Sequence, residues 1–289
     1  MSRSSLIVLG AVLSAAVALL LALRLRRLRA PGAVNYRGES LPQVLGMALA
    51  AGLSVGVSVV LAVDAGQYLV FPTTRGAVEI LAAILLVFAG GLLDDLQPHT
   101  VHGVIRHFGE LLRGRVTSGI VKMAVAGVGA AVFCWVTRDH RVPLYLGIPF
   151  VAGMANLWNL LDVAPGRAVK AFLPVATLSL VLAHSKGFAL FNAAALGGAV
   201  AILPLDLAEL GMLGDSGAYV LGFVAGAGLF LRLSTPGVAT GLVVVVALHV
   251  LAETVTLTRL IRATPPLRWV DDLGRLHEKG LRPESSASA

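Results

Sequence analysis

The sequence predicts an all-α integral membrane protein, a polytopic bundle of about nine helices with its N-terminus outside. Three observations carry that expectation. The 289 residues are 57% hydrophobic and 13% charged, with mean hydropathy +0.85, whereas a soluble domain carries roughly a quarter charged residues. Apolar stretches at 5–23, 44–63, 77–93, 117–136, 144–163, 171–184, 187–205, 216–233 and 237–258 alternate with short loops, and most approach the ~20 residues a helix needs to cross a bilayer. Lysine and arginine flank these stretches and favour one side.

Taken in order, the first stretch ends in Arg24, Arg26, Arg27 and Arg29 with no small-residue cleavage site after it, so it reads as a retained helix and not a removed leader. The second follows the loop Asn35–Gly46, NYRGESLPQVLG, and the third closes on Gly90-Gly91-Leu92-Leu93-Asp94-Asp95-Leu96. The fourth holds Lys122 and the single cysteine, Cys134, which excludes an intrachain disulfide and a thiolate metal cluster. The fifth ends in NLWNLLD, residues 156–162, and Pro165-Gly166-Arg167 turns the chain into the sixth and shortest stretch. The seventh leads to Asp206 and Glu209, the eighth opens on MLGDSGA at 212–218, and the ninth contains His249. This divides the chain into a membrane domain, 1–258, and a basic cytoplasmic tail, 259–289.

Orientation follows from the basic residues. With the N-terminus outside, sixteen of them fall on the cytoplasmic side and six on the outer side, with Lys122 inside a helix; loops rich in Lys and Arg stay in the cytoplasm. The net charge of +7 is therefore read as a topology signal and a set of anionic-lipid contacts, and no nucleic-acid partner is implied. The abundant glycines read as sites of close helix packing.

The same orientation puts three polar clusters on the cytoplasmic face. Asp94 and Asp95 are adjacent carboxylates, which repel unless a cation or a proton-accepting role uses them; hard oxygen donors of this kind suit Mg²⁺ together with substrate phosphates. A solvated helix end is the plain alternative. Asn156, Asn159 and Asp162 share one helical face by their spacing, either lining a polar cavity or forming a hydrogen-bond seam between helices. Arg167 just beyond supplies a cation suited to phosphate. Gly214 and Gly217 allow close backbone approach, and Asp215 with Ser216 opens a helix N-terminus, a place that favours phosphate or a simple cap.

The order, spacing and topology of these motifs resemble the polyprenyl-phosphate N-acetylhexosamine-1-phosphate transferases of glycosyltransferase family 4. These include phospho-MurNAc-pentapeptide translocase and the undecaprenyl-phosphate GlcNAc-1-phosphate transferases. The resemblance runs from about Asn35 to Gly226 and is strongest at GLLDDL, NLWNLLD and MLGDSGA, with Gly38, Pro42 and Gly46 matching in the first loop. It departs from the family at Val163-Ala164-Pro165, where D-G-x-x-G-L-A usually continues the motif of Asp162, and at Met212, where an aromatic residue usually precedes G-D. The family's P-A-K is replaced by Leu207-Ala208-Glu209-Leu210, and the late histidine-rich loop is missing, leaving His249 and His277.

The resemblance implies Mg²⁺-dependent transfer of a sugar 1-phosphate from a UDP-sugar to a polyprenyl phosphate in cell-envelope polymer synthesis, at the cytoplasmic face of a bacterial inner membrane. It implies that Asp215 binds Mg²⁺ and the donor diphosphate, that Asp94 positions or deprotonates the lipid phosphate, and that Asp95 assists it or the metal. Asn156, Asn159, Asp162 and Ser216 would contact the nucleotide sugar, and Arg113, Arg115, Lys122 and Arg167 the phosphates. A homodimer fits the same resemblance. Two other classes remain beside it: a catalytically silent relative that binds lipid phosphate or scaffolds envelope enzymes, and a small ion-coupled transporter. A transporter should hold its charges near the bilayer midplane, and here they gather at helix ends.

Overall fold

The computed structural model describes residues 1–27, 32–35, 37–96, 104–137, 142–182, 187–255 and 257–275. Each of the nine apolar stretches is helical. In chain order the elements are α1 (Arg3–Leu25), a hairpin of β1 (Gly32–Val34) and β2 (Ser40–Pro42), α2 (Leu45–Val63), α3 (Thr74–Asp95), α4 (Val104–Leu112), α5 (Ser118–Thr137) and α6 (Leu144–Leu161). They continue with α7 (Arg167–Val181), α8 (Ala189–Leu207), α9 (Gly214–Phe230), α10 (Thr235–Thr254), α11 (Leu257–Ala263) and α12 (Pro265–Asp272).

Seven of these helices, α1, α2, α3, α5, α6, α8 and α10, are long and apolar enough to cross a membrane. The other two predicted spans, α7 and α9, have 15 and 17 residues. The short α9 occupies the middle of the bundle, with every residue but Asp215 and Leu229 buried, so its neighbours and not lipid surround it. The helix after Pro165 starts at Arg167, earlier than the predicted 171, because Gly166 takes a left-handed conformation (φ 70°) that turns the chain straight into it.

Short polar caps start several helices at the end of the bundle away from the carboxylates. Ser2 accepts from the Ser5 N–H at 3.1 Å, Thr73 from Gly76 at 3.1 Å and Ser234 from Gly237 at 3.4 Å; each satisfies one of the N–H groups that the first turn leaves without a partner. Packing then relies on small residues. On α1 the buried face is Leu6, Gly10, Ser14, Ala18 and Ala22, at four-residue spacing, and a Cβ on Gly52 of α2 would stand 2.4 Å from the Ser14 carbonyl oxygen. Backbones this close gain dispersion contacts that larger side chains would prevent.

The hairpin is the exception to an all-α reading. Gly32, Ala33 and Val34 pair antiparallel with Pro42, Leu41 and Ser40, around a turn in which the Asn35 side-chain oxygen accepts the N–H groups of Arg37 and Glu39, both at 2.9 Å. It docks on the loop before α9: Asn35 Nδ2 donates to Glu209 at 2.9 Å, Arg37 pairs with Glu209 at 3.0 Å, and Met212 N–H donates to the Pro42 carbonyl at 2.9 Å.

The two ends of the bundle differ. At one end Phe133 meets Phe188, Phe223 and Phe230 edge-on, with centroids 5.3, 6.0 and 5.9 Å apart. Asp64 there is fully used in holding its own turn, accepting from Leu69 and Val70 N–H at 3.1 and 3.0 Å. The C-terminal ends of α3, α6 and α8 and the N-terminal ends of α5, α7 and α9 meet at the other end, and they bring the carboxylates with them.

Candidate active site

The three sequence clusters converge at that second end. Gly91 makes the convergence possible: a Cβ there would lie 2.5 Å from Ser216 Cα, so α3 and α9 cross in backbone contact just where Asp94, Asp95 and Asp215 project. Gly46 does the same for the start of α2, with Leu213 oxygen 2.5 Å from its would-be Cβ.

Asp94 and Asp95 then diverge, because successive helical residues point about 100° apart. Asp94 is buried and turns to α5, where Lys122 Nζ donates to it and the Ser118 hydroxyl also reaches it. Lys122 bonds Asp215 as well, so one buried ammonium bridges the ends of α3 and α9 from α5. The shared ammonium thereby holds the Asp94 and Asp215 carboxyl groups side by side. The same ammonium lies 5.0 Å above the centre of the Tyr219 ring, one turn beyond Asp215, a favourable cation–π position.

Asp95 turns to the start of α9. Its two oxygens accept the N–H groups of Asp215 and Ser216 at 2.8 and 3.0 Å, and Gln43 Nε2 at 3.1 Å. A carboxylate on the free N–H groups and positive end of a helix is a strong cap. Asp95, expected beside the metal, is thus the cap that fixes Asp215, and Ser216 contributes its N–H to that cap.

Asp162, the C-cap of α6, faces the Gly214 N–H and lies close enough to Asp95, Asp206 and Asp215 to feel their charges. Asp206 accepts the Gly166 N–H at 3.0 Å. With Asn35, Glu209 and Met212, Asp162 and Asp206 line a cavity of about 390 Å³ next to the carboxylate node. A larger cavity, about 1060 Å³, lies at the opposite end among Phe71, Trp135 and Leu144, far from all of these carboxylates.

The remaining expected residues divide. Asn159 stays at this end, and its side-chain oxygen is buried with no hydrogen-bond partner. Asn156 turns into the bundle, where it accepts from the Tyr219 hydroxyl and faces His249 Nε2 at 2.8 Å. It forms the interhelical seam and not the cavity lining. Arg113 and Arg115 are exposed and pair with Glu110 at 2.7 and 3.5 Å. The Arg113 hydrogen bond holds the Glu110 carboxyl below its ordinary range.

Arg167 is the clearest departure. It is buried, and its Nε and one terminal nitrogen hold the two oxygens of Asp271 on α12 at 2.7 and 2.9 Å, while the other donates to Thr258 at 2.9 Å. All three arms are committed, so Arg167 does not face a phosphate here. Burial pushes the Asp271 carboxyl up, but the Arg167 hydrogen bond and charge outweigh it and hold the group below the ordinary range. Arg275 adds a second cation to Asp271 at 2.6 Å and donates to the Pro165 carbonyl at 3.2 Å.

The node suits a divalent cation. Asp94 and Asp215 share one ammonium, with Asp162 and Asp95 near, and at the same end of the bundle the buried Asn159 oxygen has no hydrogen-bond partner. No group of three or more His, Cys, Asp or Glu poised for a metal occurs among the described residues, but Mg²⁺ takes one or two carboxylates and completes its shell with water and substrate phosphate.

Fold and site together define a multi-pass membrane protein with an acidic centre at one end of its bundle. Residues 77–233, more than half of the chain, match Glycosyl transferase family 4, and the chain belongs to that family. Members are transferases, and membership supports polyprenyl-phosphate sugar-1-phosphate transfer as the general activity. No curated protein matches the chain. The matched region contains Asp94, Lys122, Asp162 and Asp215 but neither the hairpin nor Asp271.

Four participants have roles here that the sequence does not assign: Tyr219, Gln43, His249 and Asp271. Tyr219 was signalled by its place one turn after Asp215. Gln43 lies in the loop that already resembled the family, and His249 was noted without a partner. Asp271 left no signal, since nothing in a polar tail marks one aspartate as returning to the bundle.

Proposed function

We propose that the protein transfers a sugar 1-phosphate from a UDP-sugar to a polyprenyl phosphate at the Asp94–Lys122–Asp215 node, on the cytoplasmic face of a bacterial inner membrane. The observation that carries this reading is the bridging of two carboxylates from separate helices by one buried lysine. An oxygen of the lipid phosphate attacks the sugar-bearing phosphorus of the donor. A new P–O–P bond forms, the bond between the donor's two phosphates breaks, and UMP leaves with the electron pair. Both reactants are anions, so catalysis consists mainly of positioning and charge neutralisation.

Asp94, oriented by Lys122 and Ser118, is suited to accept a proton from a singly protonated lipid phosphate and to hold it in line. Lys122 supplies a fixed positive charge near the transferring group. Asp95 acts through Asp215, holding the start of α9 and with it the Asp215 side chain. Asp94, Asp215 and the Asn159 oxygen would hold Mg²⁺, which when bound neutralises the diphosphate and stabilises the charge developing on the leaving oxygen. The cavity lined by Asp162, Asp206 and Met212 adjoins the node and has room for a nucleoside-sized group. Basic loops at this end, from Arg24 to Arg115, support its cytoplasmic placement.

The assay is UMP release by the purified protein with undecaprenyl phosphate, Mg²⁺ and a panel of UDP-sugars. The reading expects release with at least one donor. Because Arg167 is committed to Asp271 and Asn156 to Tyr219, a silent relative that only binds lipid phosphate is the second reading. Undecaprenyl phosphate binding without UMP release from any donor would establish that second reading and remove the first.

A further inference from the structure

The α11–α12 segment ends in a face that the bundle does not cover. On α12, Asp271 is buried against Arg167, while Trp269 (67% exposed), Val270 (45%) and Leu273 just beyond (54%) project away from it. Residues 266, 269, 270 and 273 fall on one helical face, and Arg268 and Asp272 lie across from it. The preceding α11 exposes Arg259, Leu260 and Arg262. Residues 265–273 leave a tryptophan and three aliphatics (Leu267, Val270 and Leu273) exposed while Asp271 alone is buried in an ion pair, so the segment has an unpartnered apolar surface.

Its height on the molecule is fixed. The chain leaves α10, a membrane-spanning helix, at Thr254, and α11 begins at Leu257. Asp271 then grips Arg167 in the first turn of α7, and Lys170 Nζ, one turn further, donates to the Leu273 carbonyl at 3.1 Å. Both anchors stand where helices enter the bundle, so α12 lies at the level of the membrane–water boundary. Tryptophan is at home there, and arginines beside an apolar face favour anionic lipid.

We propose that α11–α12 is an interfacial strap that binds the anionic leaflet. Trp269, Val270 and Leu273 enter the headgroup region, and Arg259 and Arg262 of α11 contact lipid phosphates. The Asp271–Arg167 pair latches the strap to the bundle, and Arg275 on the Pro165 carbonyl passes its position to the turn that walls the 390 Å³ cavity. This inference does not depend on the transferase reading.

The test is site-directed spin labelling of Leu273→Cys in the full-length protein; Cys134 is buried and stays unlabelled. The protein is reconstituted in phosphatidylcholine vesicles with or without phosphatidylglycerol. Val12→Cys, on the exposed flank of α1, gives the lipid-facing reference, and Glu39→Cys gives the aqueous one. With phosphatidylglycerol, the Leu273→Cys label should shift toward the Val12→Cys value in oxygen over nickel-chelate accessibility. Neutralising Arg259 and Arg262 together to Gln should reverse that shift, and raised salt should weaken it in the unneutralised protein. A label as nickel-accessible as Glu39→Cys in both vesicles would overturn the proposal. So would spin–spin broadening between labels with low access to both reagents, which would make this face a contact between two copies of the chain.

Discussion

Two buried ion-pair systems tie distant parts of this chain together, and they are built on opposite principles. At the tail latch, Arg167 meets Asp271 with two parallel hydrogen bonds, its third arm is taken by Thr258, and Arg275 completes the aspartate. Every strong donor has an acceptor, and cations are in ample supply. At the node, one lysine serves two carboxylates, with Asp95 and Asp162 close by and the Asn159 oxygen unpartnered. The latch has finished its chemistry, whereas the node is short of positive charge. Burying excess like charge is costly, and the cation proposed above would relieve it.

The largest effect should come from removing the one cation of the node. Lys122→Met leaves Asp94 and Asp215 without a counter-ion, and breaking a buried pair this way costs about 3–5 kcal/mol. Unfolding in detergent should therefore begin at distinctly lower temperature, and adding Asp94→Asn to the same protein should recover part of the loss. If Lys122→Met alone melts like the wild type, the node is not the charge-strained centre described above.

Asp271→Asn should act locally. It loosens the latch, exposes the 255–275 segment to protease and leaves the bundle's own melting largely unchanged. The latch should also respond to acid with a defined sign. The Asp271 carboxyl is held below its ordinary value of 3.8, so its contribution is fully present above that value and is lost as pH falls through the lower bound-state value. Protease resistance of the tail should thus be flat through neutral pH and fade only in strong acid. Fading near pH 6 would assign the latch to another group.

The smallest effects belong to the seam behind the node. Tyr219→Phe keeps the ring beneath Lys122 and removes the hydroxyl bond to Asn156, a change of about 1 kcal/mol. Tyr219→Leu also removes the cation–π contact, adding roughly 0.5–2 kcal/mol. Thermal shifts should follow that order, and equal shifts would mean that the ring does nothing for Lys122.

The helices were legible because each is a sustained apolar run, and the convergence of Asp94, Asp95 and Asp215 was legible because their motifs fall at helix ends on one side. The partition of labour between neighbours was not. Asp94 and Asp95 are alike in sequence, yet one faces Lys122 and the other caps α9, a choice made by the Gly91 crossing of two helices. Arg167 looked like a phosphate ligand because its loop is near the site; only the return of α12, about a hundred residues later, reveals that Asp271 takes it. The hairpin was missed for a related reason. Strands of three residues carry no periodic signal, and docking on Glu209 and Met212 holds them in place.

The contrast between node and latch is tested most directly by measuring UMP release from Asp215→Asn and Asp271→Asn beside the wild type, on well-folded protein. Asp215→Asn should lose at least ~100-fold in turnover, equivalent to roughly 2.7 kcal/mol. Asp271→Asn should keep turnover within about tenfold of the wild type, a change of up to ~1.4 kcal/mol. Near-normal turnover in Asp215→Asn, or a greater loss in Asp271→Asn, would contradict the assignment of the chemistry to the node.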